Sequence, residues 1–325
     1  DMAQSGAVES RQYGGVTDHE FKFIPVSLTS RVSPPNFSIK FEDWYLGAKP
    51  DLVVADIPYL DEDVIFIGAM PKHYGHFIVE GLSRLWFFLD RANLKYRSVY
   101  ISEDTSEAFF DFFKYFGLKD VNILRISTPT QFRSVIVPEQ SIRLHDYFHG
   151  MYRSTIDQIK SNVTPGKYDK VFFSKRESRN QRAIGESSND ATFVQNGFHI
   201  FYPEKMSVHE TISVLSGCTT FAATSGTNIH NSIFMDNGAD IICLNRSAHF
   251  HPIQIMIDRL RDFNAVYVDA FLFSSKASFG DSPCLIAPTR HLFRFMKSRK
   301  IEYRRMDFYR RFPRYLCIFL LSKVK

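Results

Sequence analysis

Four polar side chains interrupt an apolar stretch in the first half of the chain. The segment PKHYGHFIVEGLSRLWFFLD contains His73, His76, Glu80 and Arg84. Because these residues recur at i, i+3, i+7 and i+11, they would share one face of a helix. Charged groups among apolar neighbours are costly unless they are paired or line a cavity, so this face is typical of a site wall. Glu80 or His76 could accept a proton from a hydroxyl group there.

Two other interpretations of the same segment remain open. Glu80 and Arg84 could form an internal i,i+4 ion pair while His76 caps a loop, which would be a purely structural arrangement. The pattern H-x-x-H-x-x-x-E could instead supply three metal ligands, although zinc-hydrolase motifs normally place their histidines at i and i+4. Spacing alone does not separate these alternatives from a site wall.

A cluster of basic residues marks the second half of the chain. In VFFSKRESRNQRAIGESSND, a predicted strand leads into Ser174-Lys175-Arg176, which is followed by Arg179 and Arg182, and Glu186 precedes a predicted helix. Guanidinium groups form bidentate bonds with phosphate oxygens, and helix N-termini add amide donors. The segment therefore favours the binding of a diphosphate, and the alternative is a solvated basic loop.

A loop of small residues follows in the same half. In FAATSGTNIHNSIFM, a predicted buried strand ends at Thr224, and Ser225-Gly226-Thr227 leads into a predicted helix that carries His230 and Asn231. Small residues allow backbone N–H groups to approach a phosphate closely, although the loop is neither a P-loop nor GxGxxG. Upstream, Glu204 ends another predicted strand, where it could reach a ribose.

The elements that position these segments alternate between short apolar runs and helix-period stretches, which is typical of α/β proteins with parallel strands. We predict strands near residues 52–54, 64–68, 98–101, 121–126, 133–137, 170–174, 198–202, 219–223, 240–244 and 265–268. Predicted helices cover residues 74–92, 103–116, 145–163, 189–196, 207–217, 228–236 and 252–263. Ser207 and Glu210 predict a capping box at one helix start, which gives Glu210 a structural role.

The turn-rich segment NVTPGKY divides the chain into two α/β halves. We predict an N-terminal domain over residues 1–162, a C-terminal domain over residues 163–285 and a basic, aromatic helical segment over residues 286–325. The two halves are expected to be Rossmann-like and to face each other across a cleft. Ligands of such sheets bind where the carboxyl ends of the strands meet, so the cleft is the expected small-molecule site.

The chain resembles glycosyltransferase family 61, an inverting family of polysaccharide and O-glycan enzymes, in four ordered segments: YGHFIVEGLSRLW, FFSKRESRNQRAIGE, GFHIFYPEKMSVHETI and TSGTNIHNSIF. The resemblance spans about residues 64–245. Two positions depart from the family pattern, since Gly185 stands where the family has Asn and Gly226-Thr227-Asn228-Ile229 replaces its G-A-G-L turn. The resemblance implies a GT-B architecture with an acceptor-binding N-terminal domain, a nucleotide-sugar-binding C-terminal domain and no essential metal.

The expected function is an inverting glycosyltransferase that moves a sugar from a nucleotide sugar, expected to be UDP-linked, to a hydroxyl of a glycan or glycolipid. Inverting transfer needs a base for the acceptor proton and positive groups for the departing diphosphate. We assign Glu80 and His76 as catalytic residues, and His73 and Arg84 as acceptor-binding residues. The predicted donor-binding residues are Ser174, Lys175, Arg176, Arg182, Glu204, Ser225, Gly226, Thr227, His230 and Asn231.

Several other properties follow from composition and motif placement. No cofactor or metal is expected, because the acidic segment Asp61-Glu62-Asp63 stands before a predicted strand rather than after one, and cationic side chains can neutralise a diphosphate. The four cysteines form no C-x-x-C pair, which argues against a disulfide scaffold and favours a reducing compartment. No apolar run approaches the roughly 20 residues of a membrane span, so we expect a cytoplasmic protein.

Basic residues concentrate in the last forty residues of the sequence. The chain has 40 Lys and Arg against 35 Asp and Glu, and residues 286–325 hold twelve of the former against two of the latter. This charge predicts an amphipathic helix on an anionic membrane through residues 290–325, at its inner face. Packing across the domain interface and the binding of a polyanion or nucleic acid by a non-catalytic protein are the alternatives, and we expect no nucleic-acid partner. The aromatic residues of this predicted helix are Tyr303, Phe308, Tyr309, Phe312 and Tyr315.

Overall fold

The computed structural model describes residues 15–33, 38–42, 57–101, 105–119, 122–176, 183–248, 250–274, 283–302 and 305–322. The chain divides into two compact units, Asp1–Asn162 and Val163–Lys325, and the boundary falls in the turn-rich segment NVTPGKY. Each unit contains helices and a parallel sheet, so the predicted α/β class is confirmed. The predicted strand at 52–54 lies outside the described residues.

A four-stranded parallel sheet forms the centre of the first unit. The strands of this unit are β1 (Thr29–Ser33), β2 (Ser38–Glu42), β3 (Tyr59–Ala69), β4 (Arg97–Ile101), β5 (Ile123–Ile126), β6 (Gln131–Ile136), β7 (Ile142–Arg143) and β8 (Tyr147–Phe148). The main sheet has the order β5-β4-β3-β6, and every neighbouring pair is parallel. Val64, Phe66 and Val99 are buried together on this sheet. The pairs β1 with β2 and β7 with β8 are antiparallel.

Strand β3 begins earlier than the sequence predicts, so that Asp61, Glu62 and Asp63 lie within the strand rather than before it. Arg133 of β6 contacts Asp61 at 3.3 Å and Asp63 at 2.7 Å, and Arg97 of β4 contacts Glu62 at 3.0 Å. Opposite charges on neighbouring strands stabilise a sheet, and here they allow three acidic residues to extend the strand. The hydrogen bonds from Arg133 lower the pKa of Asp63 to about 2.

The prediction of one α-helix over residues 74–92 is wrong. Helix α1 covers only Tyr74–His76, a π-helix follows over Phe77–Gly81, and 3₁₀ turns cover Leu85–Leu89 and Arg91–Lys95. The Ser83 hydroxyl donates to the Glu80 carbonyl at 2.5 Å. A side-chain donor that occupies a helical carbonyl in this way competes with the regular backbone ladder. The four polar residues of this segment therefore do not share one α-helical face.

Two further helices of the first unit match predicted helical stretches. Helix α2 (Asp111–Phe116) follows a 3₁₀ turn at Glu107–Phe110 and ends at Gly117, as the sequence predicts. Helix α3 (Gly150–Ser161) lies within the predicted stretch 145–163. The two helices pack against each other.

A five-stranded parallel sheet forms the centre of the second unit. The strands of this unit are β9 (Lys170–Phe173), β10 (Ala183–Ile184), β11 (His199–Phe201), β12 (Thr220–Thr224), β13 (Asp240–Asn245), β14 (Asn264–Asp269), β15 (Phe271–Ser274) and β16 (Cys284–Ile286). The main sheet has the order β11-β9-β12-β13-β14, with all pairs parallel. A small sheet has the order β10-β16-β15. The rings of Phe172 and Phe193 stack at 4.2 Å in the core of this unit.

The helices of the second unit are α4 (Ser187–Gln195), α5 (Val208–Ser216), α6 (Thr227–His230), α7 (Pro252–Leu260), α8 (Arg290–Ser298) and α9 (Arg305–Leu321). The predicted capping box at the start of α5 is confirmed. The Glu210 backbone N–H donates to Ser207 Oγ at 3.1 Å, and the Ser207 N–H donates to Glu210 Oε2 at 2.8 Å. The predicted helix 228–236 is instead the short α6 followed by a 3₁₀ turn at Asn231–Phe234.

The last two helices are part of the core of the second unit. Leu292 and Met296 of α8 are buried in the apolar cluster of the five-stranded sheet. Phe308, Tyr315 and Phe319 of α9 are buried against residues of β10 and β16. Among the helices within the described residues, none is both long enough and apolar enough to cross a membrane.

Candidate active site

The first unit holds a buried glutamate against a histidine. Glu80 Oε2 lies 2.5 Å from His76 Nδ1, and the side chains of His76 and Glu80 are 35 % and 3 % exposed. A carboxylate accepts a hydrogen bond from Nδ1–H, so a neutral His76 carries its lone pair on Nε2. The His73 ring lies edge-on to the His76 ring at 5.5 Å. The group nearer to solvent is therefore the imidazole, and the carboxylate orients it.

The π-helical turn fixes the position of this pair. The Leu82 N–H donates to the Phe77 carbonyl at 3.2 Å, which closes the wide turn that contains Glu80. The hydroxyl of Tyr152 on α3 donates to the Ile78 carbonyl in the same turn. Phe77 and Ile78 are fully buried, so packing fixes the backbone on which Glu80 stands. Such turns occur often at functional sites.

Arg84 lies in the interior of the first unit. Its Nε donates to the Pro138 carbonyl at 3.0 Å, and its Nη2 donates to the carbonyls of Val26 and Ser27 at 2.9 and 3.1 Å. Burial lowers the pKa of Arg84 to about 10. The guanidinium thus satisfies backbone carbonyls from two distant segments. This location favours a structural role over the predicted contact with an acceptor.

In the second unit, three polar residues stand at the carboxyl ends of neighbouring parallel strands. Ser174 follows β9, Ser225 follows β12 and Arg246 follows β13. Since β9, β12 and β13 are adjacent and parallel, these residues lie along one edge of the sheet. Ligands of open α/β sheets bind at this kind of edge. Two of the predicted donor-binding residues, Ser174 and Ser225, are thereby brought to the same edge.

Two cationic side chains converge over Gly226 at this edge. A Cβ atom on Gly226 would lie 3.2 Å from Lys175 Nζ and 3.6 Å from Arg246 Nη2. The φ angle of Gly226 is +127°, which L-amino acids rarely adopt. Thr227 begins α6 directly after this glycine. Because Gly226 has no side chain, the two cations lie close to its backbone, and this arrangement suits a bound anion.

A buried carboxyl group lies beside these cations. Thr224 Oγ1 donates to Glu186 Oε1 at 2.5 Å. Burial raises the pKa of Glu186 to about 7, and the positive charge of Lys175 opposes this rise. Burial lowers the pKa of Lys175 to about 8, with repulsion by Arg246 adding to the shift and attraction by Glu186 and Glu204 opposing it. Both groups therefore titrate close to neutral pH. The predicted site residue Glu204 is near enough to affect Lys175.

The remaining basic residues of this segment are arranged differently. Arg176 Nη1 lies 3.7 Å from Asp190 Oδ2 on α4, and the Arg176 side chain is about half exposed. Arg179 and Arg182 lie outside the described residues. Of the predicted basic cluster, Lys175 thus reaches the Gly226 edge, whereas Arg176 reaches α4.

His230 and Asn231 are buried in the helical turns that follow the Gly226 loop. His230 Nδ1 lies 2.9 Å from Gln254 Oε1. Gln254 Nε2 in turn donates to Ser232 Oγ at 3.0 Å and to Asp258 Oδ1 at 2.8 Å. These bonds join the segment after β12 to α7. These buried positions favour a structural role for His230 and Asn231, which is to hold the Gly226 loop in place, over the predicted contact with the donor.

Arg246 and Glu186 were not predicted as site residues from the sequence. The available signal for Arg246 was its place as the first basic residue after the apolar run IICL, from which only Asn245 separates it, because the predicted strands at 219–223 and 240–244 were expected to be parallel. Adjacent parallel strands bring their carboxyl ends together, so the first basic residue after each strand is a candidate. For Glu186, the signal was a carboxylate within a conspicuously basic segment.

Within the described residues, no group of three or more His, Cys, Asp and Glu side chains could hold a metal ion. His73, His76 and Glu80 are all described, so the geometry does not support the interpretation of H-x-x-H-x-x-x-E as three metal ligands.

A comparison with known families identifies the family of the chain. The family model described as Glycosyltransferase 61 matches residues 74–242, which include the π-helical turn, Lys175 and the Gly226 loop. The chain belongs to glycosyltransferase family 61. The predicted resemblance is therefore confirmed, and the protein is a glycosyltransferase. Among curated proteins, none matches the chain with significance.

Family 61 membership gives one departure from the family pattern a structural explanation. Gly185 stands where the resemblance leads us to expect Asn, and its φ angle is +94°. Gly and Asn are the residues that best tolerate this left-handed region. The substitution thus retains the backbone turn that delivers Glu186. The family assignment makes the protein a glycosyltransferase, which argues against the alternative of a non-catalytic polyanion- or nucleic-acid-binding protein.

Proposed function

We propose that this family 61 enzyme moves a sugar, with inversion at the anomeric carbon, from a nucleotide sugar to a hydroxyl of a free or lipid-linked glycan. The donor is expected to be UDP-linked. The observation that carries the proposal is the convergence of Lys175 Nζ and Arg246 Nη2 over Gly226 at a carboxyl edge of parallel strands. Two cations at such an edge suit the two phosphates of a departing nucleoside diphosphate.

The proton of the acceptor hydroxyl passes, in this proposal, to His76 Nε2. As the proton leaves, the hydroxyl oxygen attacks the anomeric carbon and the bond from that carbon to the diphosphate oxygen breaks. Glu80 holds the Nδ1–H and stabilises the imidazolium that forms. We favour His76 over Glu80 as the base because the imidazole is the more exposed of the two groups. His73, which adjoins His76, is the proposed acceptor contact.

The negative charge of the leaving group is balanced by side chains in this proposal, without a metal ion. Lys175 and Arg246 supply two positive charges. The acidic segment of β3 is engaged with Arg97 and Arg133, which supports a structural role for those carboxylates. Turnover is expected to continue in excess EDTA. Loss of turnover that Mn²⁺ restores would contradict this part of the proposal.

A GT-B architecture would bring the two sets of residues to one substrate. Each unit has its own parallel sheet, which is the composition that this architecture requires. The proton acceptor belongs to the first unit and the cations to the second. In the proposed arrangement the acceptor binds to the first unit and the nucleotide sugar to the second.

Calorimetric titration with UDP, UMP and uridine tests directly whether Lys175 and Arg246 bind the diphosphate. If the cations over Gly226 bind a diphosphate, UDP should bind at least about tenfold more tightly than UMP, because each charge-assisted phosphate contact is worth about 1.5–3 kcal/mol. Other nucleoside diphosphates in the same series identify the preferred base. Equal affinities for UDP and uridine would remove the diphosphate assignment.

A further inference from the structure

Helix α9 has one buried face, and the aromatic residues that were expected to contact a membrane lie on it. Phe308 and Tyr315 are almost fully buried against the strands of the small sheet. The prediction that these two residues face a membrane is therefore wrong, because their rings already leave water by packing in the core. Tyr303, from the same prediction, lies outside the described residues.

The opposite face of α9 is basic in the middle of the helix and apolar at its end. Arg310, Arg314, Cys317 and Leu321 recur at i, i+4, i+7 and i+11, so they share one face, and all four are exposed. Leu320 and Leu321 are 54 % and 62 % exposed. Two adjacent leucines with more than half of their surface in water form an unusual surface for a helix end.

Strand β15 adds further exposed apolar side chains near the end of α9. The Phe273 ring stacks on the Phe319 ring with centroids 6.0 Å apart, which places β15 beside the end of α9. Phe273 and its neighbour Leu272 are both exposed. We define the apolar tip as the exposed large apolar residues of β15 and of the end of α9, namely Leu272, Phe273, Ile318, Leu320 and Leu321.

The part of the sequence that contains the end of α9 carries only positive charge. From Phe308 to Lys325 it contains no Asp or Glu. The basic residues of this stretch are Arg310, Arg311, Arg314, Lys323 and Lys325. Apolar side chains next to positive charge complement a surface that is apolar inside and anionic outside.

We propose that the apolar tip and the basic face of α9 dock this protein on an anionic lipid bilayer. Leucine and phenylalanine side chains enter the boundary between headgroups and acyl chains, while Arg310 and Arg314 pair with lipid phosphates. A second copy fits this surface less well, because a twofold contact would bring the arginines of both copies together. Nucleic acid also fits less well, since aliphatic side chains offer bases no stacking platform.

Sedimentation with lipid vesicles tests the proposal on the full chain. Wild-type protein should sediment with vesicles of phosphatidylcholine and phosphatidylglycerol but not with phosphatidylcholine alone, and salt should release it. Leu321→Ser should weaken binding at least about tenfold, because burial of one leucine is worth about 1.5–3 kcal/mol. Arg310→Glu/Arg314→Glu should weaken it at least about 25-fold, since each basic residue near an anionic surface contributes about 1 kcal/mol.

Matched variants elsewhere on the second unit serve as controls. Val194→Ser removes an apolar side chain that is 57 % exposed on α4. Lys167→Glu/Arg259→Glu makes the same change in net charge at exposed positions outside α9. Both controls should bind anionic vesicles like the wild type. Because all substituted residues are exposed, circular dichroism should show an unchanged fold in every variant.

Three results would overturn the proposal. Equal binding of wild-type protein to neutral and anionic vesicles would remove the electrostatic contribution. Losses in the controls as large as those in the α9 variants would show that the surface is not specific. A dimer in light scattering that Leu321→Ser dissociates, without vesicle binding by the wild type, would assign the apolar tip to a second copy of the chain.

Discussion

Each unit buries a glutamate beside a basic side chain, and the two arrangements differ in how they are assembled. Glu80 meets His76 within one turn, four residues away in sequence. Glu186 lies near Lys175, and Arg246 approaches the same edge from another strand. A local pair can orient one proton acceptor, whereas cations from several strands can surround a larger anion. The comparison supports proton transfer by the first unit and charge stabilisation by the second.

The largest effect should come from removing the proposed base. His76→Ala should lower kcat by about 10²–10⁴-fold, the usual contribution of general-base catalysis, with nucleotide binding unchanged. Glu80→Gln should cost less, because the amide oxygen can still accept the Nδ1–H hydrogen bond. The rate at which the nucleoside diphosphate product forms during turnover gives kcat for both variants. His19→Ala, at an exposed histidine of the same unit, is the control. A greater loss in Glu80→Gln than in His76→Ala would exchange the two roles.

The next effect concerns the cations of the second unit. Lys175→Ala or Arg246→Ala should weaken UDP binding by about 10–150-fold, the equivalent of about 1.5–3 kcal/mol, and change uridine binding little. Arg259→Ala, at an exposed arginine of α7, should leave both affinities unchanged. Calorimetry gives the affinities of the wild type and the three variants for UDP and for uridine. If UDP and uridine lost affinity equally, the two side chains would not be phosphate contacts and the contrast between the units would disappear.

The pH dependence of stability tests the buried carboxyl group of the second unit. Burial raises the pKa of Glu186 in the folded protein to about 7, above its ordinary value of 4.5. The folded state therefore holds this proton more tightly, and its contribution to stability is lost as pH rises from about 4.5 to about 7. Between pH 5 and pH 7 this loss amounts to about 2 kcal/mol, since one pKa unit is worth about 1.4 kcal/mol, and Glu186→Gln should remove it.

Urea unfolding at pH 5 and pH 7 measures this difference. Because other groups titrate in both proteins, only the difference between wild type and variant reports on Glu186. Parallel pH dependences of the two unfolding free energies would mean that Glu186 is ionised in the folded protein throughout this range.

The smallest effect should come from a residue outside both sites. Ser207→Ala removes the hydroxyl that caps α5 and should lower the free energy of unfolding by about 1 kcal/mol. Rates and nucleotide affinities measured well below the melting temperature should stay unchanged. A change in UDP affinity as large as that of Arg246→Ala would indicate that loss of stability, rather than loss of a phosphate contact, explains the effects in the second unit.

Features that depend on nearby residues could be predicted from the sequence. The capping box of Ser207 and Glu210 spans four residues, so spacing alone indicated it. The spacing of His76 and Glu80 placed the two residues on one face without predicting the hydrogen bond between them. The continuous helix over 74–92 failed because distant groups decide that segment. Arg84 bonds to carbonyls of Pro138 and Val26, which the local apolar periodicity does not reveal. The order of helical turns there depends on tertiary contacts rather than on propensity.

The second site was predicted only in part for a related reason. Lys175 and Gly226 were found because each stands in a distinctive local segment. Arg246 joins them only because β9, β12 and β13 are neighbours in the sheet, and strand order is a non-local property. The pKa of Glu186 likewise depends on burial that no short motif specifies. Residue type indicated the chemistry of this site, and the topology of the sheet determined which residues take part.

Tyr315 limits how this chain can be divided for engineering. Its hydroxyl lies 2.9 and 3.0 Å from the hydroxyls of Ser187 and Ser188, the first residues of the helix that follows Glu186. A shortened protein that ended before α9 would lose these bonds and uncover the apolar residues Ile184 and Leu285. Helix α9 is therefore part of the folded second unit and cannot be removed without exposing its core. Chimeras with related transferases should exchange α9 together with residues 183–195.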